Sequence, residues 1–159
     1  MKKKSNTTLI FILAALSFSL IAAYTIEYAM GHKPCKLCVY QRIPYFFSIF
    51  LILNILLIKR YVKPTLLLLA LVSLSGSILA FYHFGIEQGF FSESFVCETQ
   101  NLDGNLSKEE ILKQLKENTV SCKDVNFKVF GLSLASINTI FSFALLIIFL
   151  KLYKNYENN

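Results

Sequence analysis

The sequence predicts an all-α integral membrane protein: a four-transmembrane-helix bundle with a long extracytoplasmic loop that contains a short amphipathic helix. The 159 residues are 55% hydrophobic and only 16% charged, whereas a soluble domain is typically about 25% charged. The mean hydropathy is +0.53. The apolar residues cluster into four long runs with charged residues between them, which is the pattern of a membrane protein.

The first two apolar runs account for the first two predicted spans. Residues 9–30 would form about 33 Å of helix, enough to cross a bilayer core. Lysines at positions 2–4 precede this run, so it also resembles a secretory signal, but its length and the three later runs favour a retained helix. Residues 43–58 would form only about 24 Å of helix. Either residues 39–42 therefore belong to this span, or the bilayer adapts to it.

The third and fourth runs complete the bundle. They cover residues 65–84 and 129–150, and the chain is read as a single membrane domain over residues 1–159. The extracytoplasmic loops are then residues 31–42 and 85–128. The second of these loops is long, polar and carries two cysteines.

A short helix is predicted within the long loop. The segment "SKEEILKQLKEN" (107–118) begins with a capping box formed by Ser107 and Glu110. Its apolar residues share one helical face. This face lies either on the membrane surface or against the loop itself.

The distribution of cations indicates the orientation and the partners. The 16 lysines and arginines divide equally between the two predicted sides. Most of those on the cysteine side lie in the long loop, where they have less influence on orientation. We therefore expect cytoplasmic termini. The net charge of +6 comes from cations at the ends of apolar runs, so a lipid bilayer is the expected partner and nucleic acid is not.

The four cysteines form a close pair and a distant pair. Cys35 and Cys38 make a C-x-x-C motif, whereas Cys97 and Cys122 lie far apart in the long loop. A C-x-x-C disulfide closes a very small loop and is easily reduced, so one interpretation is a cycling dithiol. Four tetrahedral metal ligands or two structural bridges are the alternatives that the residues leave open.

The segment "CKLCVYQR" (35–42) resembles the C-x-x-C-x-[YF]-x-R signature of the DsbB family. The similarity extends over roughly residues 8–152, including "YHFGIEQGFF" and "FGLSLASIN". The vitamin K epoxide reductase family has similar chemistry, but its loop cysteines precede its C-x-x-C motif. The resemblance implies a bacterial inner-membrane enzyme that reoxidises a DsbA-like periplasmic thiol oxidase and passes the electrons to ubiquinone or menaquinone.

The resemblance also implies roles for the four cysteines. Cys35 and Cys38 would be the quinone-coupled pair, with Cys38 next to the quinone ring. Cys97 would form the mixed disulfide with the DsbA-like partner, and Cys122 would be its mate. The cysteine-bearing loops would face the periplasm.

Two further residues match family positions at the quinone site. Arg42 would place a fixed cation beside the quinone oxygens, where negative charge develops on reduction; the alternative is an interfacial anchor. His83 would donate a hydrogen bond or a proton there; the alternative is a histidine in the helix packing. Gln41 departs from the family pattern, since many members have an acidic residue at this position.

Overall fold

The computed structural model describes residues 3–92, 121–123, 128–129 and 131–157. Within these residues, the predicted all-α membrane bundle is confirmed. Four helical segments are long and apolar enough to cross a membrane: Ser5–Ala29, Lys36–Ile58, Val62–Glu87 and Leu134–Tyr156. The predicted loop helix at 107–118 lies outside the described residues.

The spans are built from five α-helices and one π-helix, with a small hairpin before the last span. Their bounds are α1 Lys3–Tyr24, the π-helix Thr25–Ala29, α2 Lys36–Tyr40, α3 Arg42–Ile58, α4 Val62–Glu87, β1 Lys128–Val129, β2 Leu132–Ser133 and α5 Leu134–Glu157.

The structure shows that the second span is longer than its apolar run and includes residues 39–42. α2 continues almost directly into α3, with only Gln41 between them. The combined segment Lys36–Ile58 is 23 residues long, or about 35 Å. The C-x-x-C motif therefore lies at the beginning of the span, and no thinning of the bilayer is needed.

The hairpin delays the start of the last span. β1 and β2 pair antiparallel, with Val129 opposite Leu132. Gly131 lies between the strands with a φ of +82°, a conformation that glycine adopts without steric cost. Because the chain reverses here, α5 begins at Leu134 and not at residue 129, where the apolar run starts.

The tightly packed core lies in the half of the bundle that contains the chain termini. α1, α3, α4 and α5 all contribute fully buried side chains, including Leu16, Ile52, Leu69 and Phe149. Many other large apolar side chains on the same helices are exposed. Because a bilayer solvates apolar side chains, helices that are hydrophobic on every face are stable there.

A small residue allows α3 and α4 to approach closely. A Cβ atom built on Gly76 would lie 3.3 Å from Cβ of Pro44. Small residues are common at helix contacts in membranes because they let the backbones pack together. This contact places the beginning of α3 against α4, directly below the cysteines.

Candidate active site

The C-x-x-C motif lies at the N-terminus of α2. Cys35 caps this helix, and the backbone N–H of Cys38 donates to its Sγ atom at 3.3 Å. The two Sγ atoms are 2.9 Å apart, longer than the covalent S–S distance of about 2.05 Å. The pair is therefore present as two free thiols, close enough for one to donate to the other.

A third cysteine lies beside this pair. Cys122 is 2% exposed and is disulfide-bonded; its expected mate, Cys97, lies outside the described residues. The sulfur atoms of Cys35 and Cys122 and a ring nitrogen of His83 all lie within 4.8 Å of one another. Leu37 and Ile86 pack around them. The structure therefore places Cys35, before the second span, next to Cys122, before the fourth span, in a buried site.

The environment of Cys35 favours its thiolate. Hydrogen bonding to Cys38 lowers the pKa of Cys35 from 9.0 to about 5, burial opposes the shift, and His83 adds to it. Cys35 is therefore ionised at neutral pH, although it is almost completely buried. A thiolate is the nucleophile in disulfide exchange.

A chain of polar side chains leads from the cysteines into the bundle. His83 Nε2 lies 3.5 Å from Cys35 Sγ, and His83 Nδ1 lies 3.0 Å from Nε2 of Gln41. Asn138 Nδ2 donates to Oε1 of Gln41 at 2.7 Å, and the Tyr45 hydroxyl donates to Oδ1 of Asn138. The chain connects α3, α4 and α5.

A second polar group lies near the same ring nitrogen of His83 that faces Cys35. Glu87 Oε1 is 3.8 Å from His83 Nε2, one helical turn along α4. The hydroxyl of Ser133 donates to the other oxygen of Glu87. Ser133 Oγ also lies 2.8 Å from Oγ of Ser136. These contacts hold the end of α4 against the beginning of α5.

Arg42 is fixed by residues at the end of the first span. Its Nη1 atom lies 2.5 Å from Oε2 of Glu27, and its guanidinium carbon lies 4.6 Å from the centre of the Tyr24 ring. Glu27 belongs to the π-helix Thr25–Ala29. π-Helices are rare and occur often at functional sites, and here the π-helix carries the carboxylate that binds the arginine.

These groups line one large cavity of about 510 Å³ between the first span and the rest of the bundle. One end of the cavity is polar and includes Cys35, Cys38, Arg42 and His83. Elsewhere the wall is mostly apolar, with contributions from Phe18, Leu20, Ala22, Ile26, Leu134, Ile137 and Phe141. Such a cavity fits a mostly apolar ligand that also carries a few polar groups.

The two sulfur atoms and the imidazole are also close enough to one another to bind a metal ion. Cys35, His83 and Cys122 are buried and could each offer one ligand atom. However, Cys122 is disulfide-bonded, and metal coordination by cysteine requires the thiolate. The arrangement therefore favours disulfide chemistry over metal binding.

The sequence predicted some of these neighbours and missed others. Five of its six candidate site residues line the cavity: Cys35, Cys38, Arg42, His83 and Cys122. The sixth, Cys97, is outside the described residues. Sequence reasoning did not assign Glu27, Gln41, Glu87 or Asn138 to the site. Of these, Glu87 left a local signal because it lies one helical turn from His83, and Gln41 left one because it precedes Arg42 in the segment 35–42.

Comparison with known proteins identifies relatives over most of the chain. The family model "Disulfide bond formation protein DsbB" matches residues 5–152. An uncharacterized protein of Rickettsia prowazekii (strain Madrid E) is 33% identical over 149 residues, covering 92% of this chain and 87% of the relative. The SPbeta prophage-derived disulfide bond formation protein B of Bacillus subtilis (strain 168) is 40% identical over 95 residues, covering 60% of this chain and 61% of that protein.

Proposed function

This chain belongs to the DsbB family of disulfide-bond-forming membrane proteins, and on that premise we propose that it reoxidises a DsbA-like thiol oxidase and passes the electrons to a membrane quinone. The reaction class is protein-dithiol:quinone oxidoreductase. We place the protein in the bacterial inner membrane, with both termini in the cytoplasm and the cysteine-bearing loops in the periplasm. It would thereby sustain disulfide formation in exported proteins.

One observation carries the proposal: Cys35 and Cys122, from different loops, lie with their sulfur atoms within 4.8 Å of each other. Thiol–disulfide exchange proceeds by attack of a thiolate on a neighbouring disulfide. A structural bridge does not need a reduced C-x-x-C pair beside it. The low pKa of Cys35 supports the same interpretation, because a sulfur of low pKa is a good leaving group when it is released from a mixed disulfide.

The proposed exchange conserves electrons at each step. The dithiol of the partner reduces the Cys97–Cys122 disulfide through a mixed disulfide at Cys97, and the partner leaves as a disulfide. The Cys122 thiolate then attacks Cys35 in the oxidised Cys35–Cys38 pair, and Cys38 leaves as a thiolate. Cys97 next attacks Cys122, which restores the Cys97–Cys122 disulfide and releases Cys35. The C-x-x-C pair has then gained two electrons.

The cavity supports quinone as the electron acceptor. A quinone, when bound, accepts two electrons and two protons. Arg42 would hold its oxygens, because a fixed cation stabilises the negative charge that develops there. Glu27 and Tyr24 orient the guanidinium, and the apolar wall excludes water. His83 and Cys38 line the same polar end.

The exchange step can be tested by trapping the bond between the loops. In the double variant Cys38→Ser/Cys97→Ser, only Cys35 and Cys122 remain, and we expect them to form a disulfide in most molecules during mild oxidation. Non-reducing electrophoresis after protease cleavage in the long loop measures it. The matched control is Cys35→Ser/Cys97→Ser, in which Cys38 and Cys122 should cross-link much less. Equal cross-linking in both variants would contradict the proposed exchange partner.

Turnover provides the second test. Purified protein in lipid nanodiscs should reduce a soluble quinone analogue only when a reduced thioredoxin-fold thiol oxidase is added. Cys35→Ser and Cys38→Ser should abolish quinone reduction, and Cys97→Ser should block transfer from the partner. Stoichiometric zinc binding by the thiols without quinone turnover would instead favour the alternative of a metal-binding membrane protein with cysteines that do not cycle.

A further inference from the structure

The side-chain amide of Gln41 has a fixed orientation. Its Nε2 atom lies 3.5 Å from the backbone carbonyl oxygen of Leu79, a group that can only accept a hydrogen bond. Its Oε1 atom accepts from Nδ2 of Asn138 at 2.7 Å. Both contacts require the same orientation, with the nitrogen toward α4 and the oxygen toward α5. Gln41 therefore presents an N–H donor to α4.

The donor of Gln41 determines the protonation of His83. Gln41 Nε2 lies 3.0 Å from His83 Nδ1, and an amide nitrogen does not accept hydrogen bonds. Nδ1 must therefore be the unprotonated nitrogen, which leaves the ring proton on Nε2. Nε2 in turn faces two acceptors, Cys35 Sγ at 3.5 Å and Glu87 Oε1 at 3.8 Å. Each ring nitrogen of His83 therefore faces a partner with the opposite hydrogen-bonding role: Nδ1 accepts from Gln41, and Nε2 donates toward Cys35.

The anchoring of Gln41 extends across the bundle. Asn138 donates from Nδ2 to Gln41, and its Oδ1 atom accepts from the Tyr45 hydroxyl. Gln41 and His83 are 8% and 2% exposed, so both side chains are buried. Reversing one amide would place two donors or two acceptors against each other in a buried site, which is costly.

We propose that Gln41 is a positioning residue that holds neutral His83 in the tautomer donating from Nε2 to the sulfur of Cys35. This inference rests on the proposed function and specifies the part that His83 plays in it. His83 stabilises the Cys35 thiolate as a hydrogen-bond donor. It does not take the thiol proton as a base, because Nε2 already carries a proton and Nδ1 is occupied by Gln41. The one proton that the pair loses on oxidation, that of the Cys38 thiol, therefore leaves by a route that does not include His83.

The tautomer can be measured directly. The chain contains two histidines, so protein labelled with ¹⁵N-histidine gives ring-nitrogen signals from two imidazoles, and His32→Gln assigns each pair of signals to its residue. For His83 we expect a pyridine-like Nδ1 shift and a pyrrole-like Nε2 shift at neutral pH. A pyrrole-like Nδ1 in the unaltered protein would overturn the proposal without any variant of the site.

Gln41→Glu tests the cause of the tautomer. A carboxylate accepts where the amide donates, so Nδ1 should become protonated and its shift should change from pyridine-like to pyrrole-like. The matched control is Gln88→Leu, which removes an exposed glutamine at the end of α4 and should leave both shifts unchanged. If Gln41→Glu keeps a pyridine-like Nδ1, Gln41 does not determine the tautomer and the proposal fails.

Two replacements of His83 distinguish a donor from a base. His83→Gln keeps an N–H near the position of Nε2 but cannot accept a thiol proton, whereas His83→Leu removes both roles. At pH 5, near the pKa of Cys35, neither variant carries the charge that an imidazole gains in acid, so the comparison between them isolates the N–H donor: we expect Cys35 alkylation about tenfold slower in His83→Leu than in His83→Gln. If Cys35 alkylation slows equally in both variants, or slows in neither, His83 is not a hydrogen-bond donor to Cys35 and the proposal fails.

These measurements remain separate from the test of the proposed function. They use the resting, reduced protein without thiol oxidase or quinone. If the shifts and alkylation rates agree with expectation but no quinone is reduced in the turnover assay, the proposed function fails and the tautomer stands. If turnover occurs with Nδ1 protonated, the function stands and the role of Gln41 is wrong.

Discussion

Cys35 combines deep burial with a low pKa. Burial alone raises the pKa of a thiol, but the hydrogen bonds from Cys38 and His83 outweigh it and bring the pKa to about 5. Because this pKa is depressed on folding, the thiolate stabilises the folded, reduced protein fully above about pH 9. This contribution declines as the pH falls and is lost below about pH 5.

The reactivity of Cys35 should follow this pKa. In the reduced protein we expect the rate of Cys35 alkylation to be constant above about pH 6 and to fall as the pH decreases through about 5. Mass spectrometry of iodoacetamide-treated protein measures the rate at each pH. Cys38→Ala removes the side-chain hydrogen bond to Cys35, so the pH at the midpoint of its alkylation profile should rise. A midpoint near 9 in the unaltered protein would contradict the described environment.

Arg42 and Glu27 should act together on quinone binding. Arg42→Ala removes the cation, and we expect it to raise the KM for a quinone analogue about tenfold. Glu27→Gln keeps the cation but loosens its position, so we expect a smaller rise. Steady-state kinetics in nanodiscs measures both, and Arg60→Ala, at the opposite end of the bundle, is the matched control. If Arg42→Ala lowers only the amount of folded protein, Arg42 is an anchor.

The residues in the site differ in how well the sequence predicted them. Cys35, Cys38 and Arg42 form one contiguous motif, so their proximity follows from local spacing. Gln41 and Asn138 are 97 positions apart, and their contact depends on how α3 and α5 are rotated about their axes. Apolar periodicity does not determine this rotation for helices that are hydrophobic on every face.

At the scale of elements, the packing at the end of α4 requires glycine at position 85. A Cβ atom built on Gly85 would lie 2.2 Å from a ring carbon of Phe91. Phe91 stacks against Tyr82 with ring centres 5.6 Å apart, and its backbone N–H donates to the carbonyl of Gly85 at 3.2 Å. The chain after α4 therefore folds back over the helix that carries His83.

Gly85→Ala should displace this returning segment. We expect a loss of about 1–3 kcal/mol of stability, typical of overpacking in a tight contact, measured by thermal unfolding in detergent. In the Phe91→Ala background, which removes the ring, the same substitution should cost much less. If the cost is equal in both backgrounds, the contact with Phe91 is not its cause.

The helices themselves were easier to predict than their ends. The apolar runs located all four spans, because about 20 apolar residues are needed to cross a bilayer. The early start of the second span and the late start of α5 come from α2 and from the hairpin Lys128–Ser133. Both are short polar or mixed segments in which hydropathy gives no boundary. The π-helix at Thr25–Ala29 likewise has no signature in the apolar pattern.

At the scale of the whole molecule, the bundle has two chemically different ends. The end with the chain termini contains the tight apolar core, and the opposite end contains the cysteines, the polar chain and the cavity. The sequence predicted this division, because an even number of spans places both termini on one side. It did not predict the cavity, which arises from the arrangement of the first span relative to the others.

This division predicts opposite accessibility for two engineered cysteines. In a variant whose native cysteines are replaced by serine, Ser92→Cys should react with a membrane-impermeant maleimide in intact spheroplasts. Arg60→Cys should react only after the membrane is opened. Gel-shift labelling measures both, and Gln88→Cys provides a second position on the cysteine side. Reversed labelling would invert the proposed orientation, and labelling of both positions in intact spheroplasts would contradict the four-span topology.

The cavity between the first span and the rest of the bundle has a consequence for kinetics. A ligand with an apolar tail would reach it by two-dimensional diffusion in the lipid, and its effective concentration is then a mole fraction of the bilayer and not a molarity in water. Diluting the nanodisc lipid around a constant amount of quinone should therefore slow turnover. Diluting the whole suspension at a constant lipid composition should leave turnover per enzyme unchanged, provided that the thiol oxidase remains saturating.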